Sequence, residues 1–238
     1  MEFVEINAGA IRIGRFDPPY PLKNPDPNLN EHPYSQKDFQ AAEFLAKRDS
    51  DSGFRAIIEK PFYIGVYEVT QAQWEQVMNH NPARFQSAET GRHPVESVSW
   101  NEIQAFIFRL NELDDSRTYR LPTEIEWEYA AFAGEGDDIA WDKIRQRAQL
   151  GTKTTKPVGA LEPNAWGLYD VLGNVWELTS DFYNEKLFAD PVPPKSGKYR
   201  VIKGASFTGD VKNATPKTHA AEPANGWDLG FRLVAEAR

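Results

Sequence analysis

The chain has 238 residues, 40% of them apolar and 13% aromatic, which is enough to bury a substantial core and is an ordinary size for one domain. Its net charge of −8 argues against a nucleic-acid partner, because phosphate backbones are bound by clustered Lys and Arg side chains. The absence of cysteine excludes disulfides and thiolate metal sites. The sequence has no apolar run long enough to span a bilayer and no secretory leader, so we expect no membrane span and favour a cytoplasmic location.

The N-terminal region divides into a strand-like part and a divergent part. The opening FVEINAGAIRIG alternates apolar and polar residues, which predicts two short strands joined as a hairpin at Asn7 to Gly9. From residue 15 to residue 56 the composition shifts to proline and then to helix formers. We interpret this segment as a packed surface insertion, with an arm that docks a partner as the alternative.

Three helices are predicted by one local pattern, a Thr or Ser followed three residues later by Gln or Glu, which can cap each other's backbone. The pairs are Thr70 with Gln73, Ser99 with Glu102, and Thr123 with Glu126. Behind the second pair, apolar residues recur at helical spacing and predict a core helix. These residues are Ile103, Phe106, Ile107, Leu110 and Leu113.

The stretch NAWGLYDVLGNVWELTSDFY, from Asn164 to Tyr183, is too irregular for one helix or strand. Asp170 and Glu177 can offer oxygens to one point if the chain between them curls, which predicts a hard-cation site. The alternative is a turn aspartate and a strand-end glutamate without a shared ligand.

Strand-like alternation returns near the C-terminus, in RVIKGASF and GFRLV. Basic residues cluster around the first of these segments, and we interpret the cluster as a solvated strand edge. Its members are Lys195, Lys198, Arg200 and Lys203.

Six blocks of this sequence, in order, resemble the formylglycine-generating-enzyme-like family, also called the sulfatase-modifying-factor domain. They are YIGVYEVTQAQWEQVM (63–78), HPVESVSWNEIQAF (93–106), RLPTEIEWEYAA (120–131), KPVGALEPNAWGLYDVLGNVWEL (156–178), RVIKGASF (200–207) and LGFRLV (229–234). The resemblance implies one domain over residues 1–238. It also implies a mixed α+β fold, related to C-type lectins, with little regular secondary structure.

The resemblance has opposite implications for copper and for calcium, the two metals that the family binds. Formylglycine synthesis in the family depends on two copper-binding cysteines, whose positions correspond to Gly209 and Ala214 here. Neither side chain can bind copper, so we predict no copper and no formylglycine-generating activity. The resemblance also implies a structural Ca²⁺, held by the side chains of Asp170 and Glu177 and by the backbone carbonyls of Gly173 and Val175.

The segment from Phe207 to Trp227 has little apolar periodicity, and we expect it to face solvent. In the family, this region corresponds to a surface that binds peptide or other ligands. The candidate contacts are Phe207, Asp210, Lys212, Asn213, His219 and Trp227. The leading hypothesis is a non-catalytic recognition module for a protein or peptide. The alternatives are an oxidoreductase or biosynthetic enzyme with a cysteine-independent pocket, a structural or regulatory partner, and an ordinary exposed loop.

Overall fold

The helices lie in the middle of the chain, with short strands before and after them, in a computed structural model. The structure describes residues 1–13, 53–86, 90–135, 146–185, 187, 192–209, 216–222 and 226–238. The helices are α1 (Gln71–Met78), α2 (Trp100–Leu113) and α3 (Glu124–Phe132), with a 3₁₀ turn at Thr90–Arg92. The strands are β1 (Phe3–Ile6), β2 (Gly9–Ile13), β3 (Phe54–Ile58), β4 (Phe62–Gly65), β5 (Arg117–Arg120), β6 (Ala148–Gln149), β7 (Leu172–Gly173), β8 (Trp176–Phe182), β9 (Arg200–Lys203), β10 (Ala220–Ala221), β11 (Leu229–Gly230) and β12 (Val234–Ala237). This mixture confirms the predicted α+β class.

The first four-stranded sheet has the order β1–β4–β12–β5, and its neighbouring strands are antiparallel. The C-terminal strand therefore lies in the middle of the sheet, where Val234 pairs with both Ile64 and Arg120. The N-terminal and C-terminal strands both border β4, so these two strands lie on either side of it. No helix of the described ranges is long and apolar enough to cross a membrane.

The predicted N-terminal hairpin is wrong. Both strands form, but β1 pairs with β4, and β2 pairs with β3 in a separate two-stranded sheet. The reason is non-local packing, because Ile6 is buried in one apolar cluster and Ile13 in another. Since β3 begins at Phe54, the end of the predicted 15–56 insertion belongs to this sheet. Residues 15–52 lie outside the described ranges.

All three predicted capping boxes are confirmed. In each, the side chain of the Thr or Ser accepts a hydrogen bond from the backbone of the third helical residue, whose side chain caps in return. The core stripe of α2 is buried at Ile103, Phe106 and Ile107, whereas Leu113, its last residue, is 70% exposed. The stripe therefore ends earlier than predicted.

The core lies on both faces of the first sheet. Val234 and Ala235 are adjacent on β12, so their side chains point to opposite faces, and each joins a different buried cluster. On one face, the Trp74 and Phe106 rings stack at 5.0 Å, and Phe231 meets both of them edge-on. The other face packs against α3. The same helix also contacts β8 and β9 of the second sheet, which carries the candidate site.

Candidate recognition groove

The second four-stranded sheet has the order β10–β9–β8–β11 and contains the C-terminal sequence blocks. Its central strand β8 pairs antiparallel with β9, with Glu177 opposite Lys203, and parallel with β11, with Trp176 opposite Leu229. This sheet brings the 164–183 run beside the segment from Phe207 to Trp227. The residues predicted to bind a cation and those predicted to contact a ligand thus both border the second sheet.

Glu177, a predicted metal ligand, is buried in an ion pair. Its Oε1 accepts a hydrogen bond from Arg232 Nη2, and its Oε2 accepts from Arg232 Nε, both at 2.6 Å. Trp127 Nε1 also donates to Oε2, at 2.6 Å. Arg232 further donates to the carbonyl oxygens of Tyr169 and Gly65. This guanidinium therefore ties the C-terminal block to the irregular loop.

Asp170 and Glu68 place two further carboxyl groups beside this ion pair. Asp170 accepts a 2.7 Å hydrogen bond from the backbone of Gly159, and burial raises the pKa of its carboxyl to about 6. Glu68 accepts from Asn174 Nδ2 at 2.6 Å, and its pKa is raised well above the ordinary value by burial and then by Asp170 and Glu177. Three buried carboxyl groups therefore interact electrostatically with one guanidinium.

The side chains of Asp170 and Glu177 could hold a hard cation only if backbone oxygens also bind it. In the part of the chain that the structure describes, no group of three or more His, Asp or Glu side chains is arranged to hold a metal ion. A Ca²⁺ ion would need the predicted combination of carboxylates and the carbonyls of Gly173 and Val175. Gly173 has a φ of 85°, and a Cβ there would come within 2.2 Å of the Gln149 carbonyl oxygen, so the loop requires glycine at this position.

Of the residues predicted to form a ligand-binding surface, some are buried. Phe207 is fully buried, with its ring 5.3 Å from that of Phe85 and 5.5 Å from that of Trp227. The expectation that it faces solvent is wrong, because these two aromatic rings enclose it. Trp227 is 39% exposed. Asp210, Lys212 and Asn213 lie outside the described residues.

His219 is also buried, so the expectation of solvent exposure is wrong for this residue too. Its Nδ1 lies 2.6 Å from Glu124 Oε1, its Nε2 lies 3.0 Å from the carbonyl oxygen of Asn184, and its ring stacks on Tyr183. A carboxylate and a carbonyl satisfy the polar ring inside the protein. Histidine is therefore tolerated at this position without solvent.

Sequence reasoning missed the buried charges around His219. Lys203, interpreted as part of a solvated edge, is fully buried with its Nζ 2.8 Å from Glu128 and 3.4 Å from Glu124. Burial opposes the ionisation of Glu124, but Lys203 and His219 bring its pKa below the ordinary value. The available signal was the i, i+4 spacing of Glu124 and Glu128, which places both carboxylates on one face of α3.

An open groove of about 520 Å³ lies between the first turn of α2 and the end of the 207–227 segment. Among the residues that line it are Trp100, Glu102, Lys198, Tyr199, Glu222 and Trp227. Arg200 lies 3.8 Å above the Trp100 ring, and Arg84 lies 5.3 Å from the Trp227 ring. Ser97 donates a 3.1 Å hydrogen bond to the carbonyl oxygen of Trp227. Of the six predicted contacts, Trp227 lines this groove.

Residues 45–237 match the family described as sulfatase-modifying factor enzyme 1-like domain. The formylglycine-generating enzyme of Streptomyces coelicolor is 33% identical, and the aligned region covers 74% of this chain and 62% of that protein. The inactive C-alpha-formylglycine-generating enzyme 2 of Mus musculus is 35% identical, over 60% of this chain and 49% of that protein. The chain thus spans less than two thirds of both relatives.

A third relative, chaperone protein LppX of Paenibacillus barcinonensis, is 29% identical over 73% of this chain and 79% of that protein. Among solved structures, Treponema denticola variable protein 1 superposes with a TM-score of 0.73 at 24% identity, and PvdO from Pseudomonas aeruginosa with 0.71 at 23%. Each alignment covers 98% of this chain and 94% of the other. The architecture predicted from the sequence blocks is therefore confirmed.

Proposed function

The chain belongs to the sulfatase-modifying factor enzyme 1-like domain family, and from that premise we propose that it is a non-catalytic recognition module. Its ligand is a protein or peptide segment, bound in the groove between α2 and the end of the 207–227 segment. The observation that carries the proposal is the groove itself. Its volume of about 520 Å³ lies within the range of roughly 300–1,000 Å³ that is typical of ligand pockets.

The aromatic side chains of the groove are held in place before any ligand arrives. The Trp227 ring packs against Phe207 and Phe85 on the protein side, and Arg200 lies between the rings of Trp100 and Phe182. Rigid tryptophans lose little conformational entropy on binding, and they are enriched among the side chains that dominate binding energy. These features support a peptide-binding role for this surface.

The absence of cysteine argues against the family's oxidase chemistry. Gly209, at the position of one copper-binding cysteine, is described, and it donates through its backbone to the carbonyl oxygen of Ser206. Ala214, at the position of the other, lies outside the described residues. Neither side chain binds copper, and the mouse relative named as inactive belongs to the same family.

The placement of titratable groups favours recognition over a different enzyme chemistry. An enzyme of this fold would hold a cluster of polar residues in a pocket that its substrate can enter. Within the described ranges, the cluster of Glu124, Glu128 and Lys203 is at most 2% exposed and does not line the groove. The titratable residues that do line it lie along an open surface; they are Glu102, Lys198, Tyr199 and Glu222. The name of the relative LppX, a chaperone protein, is compatible with binding as the activity.

We also propose that Ca²⁺ braces the loop behind the groove. The side chains of Asp170 and Glu177 and the carbonyls of Gly173 and Val175 would hold it, and its role would be to neutralise buried carboxylates rather than to activate a substrate. Burial is the main cause of the raised pKa values of Asp170 and Glu68, and a cation beside these carboxyls would offset the cost of ionising them.

A peptide-display selection tests the recognition proposal. Peptides are enriched on the immobilised wild-type protein alone, and each enriched peptide is then tested for binding to the Trp227→Ala variant. We expect a family of related peptides whose binding needs Trp227. The proposal is contradicted if no sequence family is enriched, or if every enriched peptide binds Trp227→Ala equally well. In parallel, a cysteine-containing substrate peptide should yield no formylglycine.

A further inference from the structure

Ser97, which lines the groove, has a backbone conformation that serine rarely adopts. Its φ is 61°, in the left-handed region, where a Cβ atom crowds the following carbonyl and glycine is the usual residue. Ala133 has a similar φ, but it ends α3, where a left-handed residue is common. Ser97 instead lies two residues before the N-cap of α2, so the end of a helix does not explain its conformation.

The hydroxyl of Ser97 lies between two hydrogen-bond acceptors. Its Oγ is 2.6 Å from Glu96 Oε2 and 3.1 Å from the carbonyl oxygen of Trp227, which is 130 residues further along the chain. Among the described residues, no other group donates a hydrogen bond to that carbonyl. A hydroxyl has one hydrogen, so the two acceptors share it. Ser97 is therefore the polar link between the turn before α2 and the backbone of Trp227.

Glu96 connects the same turn to the apolar support of the Trp227 ring. It is completely buried, and its Oε1 accepts a 2.8 Å hydrogen bond from the backbone of Phe85, whose ring lies 6.1 Å from that of Trp227. Burial raises the pKa of the Glu96 carboxyl, and it outweighs the hydrogen bonds from Phe85 and Ser97 that act in the other direction. A neutral group at position 96 can donate to Ser97 Oγ, and the hydroxyl hydrogen is then directed to Trp227.

We infer that Ser97 is a positioning residue for Trp227, held in a strained conformation in which its hydroxyl fixes the backbone of this tryptophan and thereby the orientation of its ring in the groove. The same conformation lowers the stability of the folded chain. Strained residues of this kind concentrate where a site must be held in one arrangement. The order of the ring follows from these contacts alone, whereas an effect on ligand affinity rests on the proposed function.

Two substitutions separate the hydroxyl of Ser97 from its backbone conformation. Ser97→Ala removes the hydroxyl and keeps the crowded Cβ atom, whereas Ser97→Gly removes both. We expect the Trp227 ring to loosen equally in the two variants, and we expect Ser97→Gly to unfold at a higher urea concentration than Ser97→Ala. A residue that served only the fold would show ring order and stability changing together.

Nuclear magnetic resonance relaxation of the Trp227 indole N–H measures the order of the ring. The sequence contains seven tryptophans, and Trp227→Phe identifies the signal. In the wild type we expect an order parameter of about 0.85, the value of rigid backbone groups, and in both Ser97 variants a value below about 0.6.

Glu96→Gln is the conservative control for these measurements. Its amide oxygen can accept from the backbone of Phe85, and its amide nitrogen can donate to Ser97 Oγ, so the ring should stay as ordered as in the wild type. The inference is overturned if the Trp227 ring stays ordered in Ser97→Ala, because the hydroxyl then does not hold it. It is also overturned if Ser97→Gly is less stable than Ser97→Ala, because position 97 then stores no strain.

A peptide from the display selection adds a readout on binding. It should bind both Ser97 variants about three- to tenfold more weakly than the wild type, the loss expected from one hydrogen bond, and it should bind Glu96→Gln like the wild type. If the ring loosens as expected and no peptide is selected, the groove proposal alone has failed. If a selected peptide binds the wild type and both Ser97 variants equally, the role of Ser97 in binding is wrong.

Discussion

Arg232 and Lys203 are both completely buried, and each is surrounded by carboxylates. A buried charge without a partner is costly, so such a residue acts mainly by compensating its neighbours. The sequence predicted Glu177 as a metal ligand but did not indicate its ion-pair partner Arg232, which is 55 residues further along the chain. Spacing within one segment cannot reveal a contact of that range.

Removing Arg232 should be far more damaging than removing an exposed arginine. Arg232→Met removes the guanidinium that pairs with both oxygens of the buried Glu177, and we expect a loss of about 3–5 kcal/mol in the free energy of unfolding, measured with urea. Arg238→Met breaks an exposed pair with Asp115 and an exposed hydrogen bond to the carbonyl oxygen of Asn111, and it should cost less than about 1 kcal/mol.

If Arg232→Met does not fold, Glu177→Gln serves as a milder test. It keeps the shape of the side chain and removes the charge partner of Arg232. Equal free energies of unfolding for Glu177→Gln, Arg238→Met and the wild type would contradict the role assigned to this ion pair.

At the scale of secondary-structure elements, local signals predicted the helices and failed for the strands. The capping boxes involve residues three positions apart, so the sequence contains all the information that they require. Strand pairing depends on partners far along the chain, and β1 and β2 accordingly found partners other than each other. The small residues of α3 indicated its buried face. The contacts of Glu124 and Glu128 could not be predicted, because their partners Lys203 and His219 lie far along the chain.

The first turn of α3 gives a pH-dependent prediction. Burial opposes the ionisation of Glu126, but two 2.7 Å hydrogen bonds from Arg120 and one from the backbone of Thr123 lower its pKa below the ordinary value. A carboxyl whose pKa is lower in the folded state stabilises the protein above its unfolded-state pKa of about 4.3, and this contribution is lost as pH falls through the folded-state value.

Glu126→Gln should therefore cost about 1 kcal/mol at pH 7 and progressively less as the pH falls below about 4. Urea unfolding of both proteins across this range measures the difference. Glu75→Gln, a change at an exposed position of α1, provides the matched control. A difference between wild type and Glu126→Gln that stays constant from pH 7 to pH 3 would show that the ion pair with Arg120 contributes nothing.

At the scale of the whole molecule, the order of the sequence blocks predicted the fold, and the details of the surface did not follow. Blocks such as LGFRLV identify the family because they build the core, where Phe231 and Arg232 are both fully buried. The groove is formed by residues from separate parts of the chain, including Trp100, Tyr199 and Trp227. Its walls come together only in the folded protein.

Calcium should affect the stability of the entire fold. An ion that binds only the folded state raises the unfolding temperature. At a free concentration one hundred times its dissociation constant, it adds about 2.7 kcal/mol to the free energy of unfolding. We expect EGTA to lower the unfolding temperature of the wild type and to have no effect on Asp170→Asn. The exposed Asp115→Asn variant should respond like the wild type. An unchanged wild-type unfolding temperature would rule out the bracing ion.

The central claim is that the groove binds a peptide, and the dissociation constant of a selected peptide for matched variants tests it most directly. Fluorescence anisotropy should show binding at least about tenfold weaker for Trp227→Ala than for the wild type. Truncating an aromatic residue at the centre of an interface typically costs about 2 kcal/mol of binding free energy. Phe108→Ala, which removes an exposed aromatic ring outside the groove, should bind like the wild type. Equal dissociation constants for all three proteins would contradict the account.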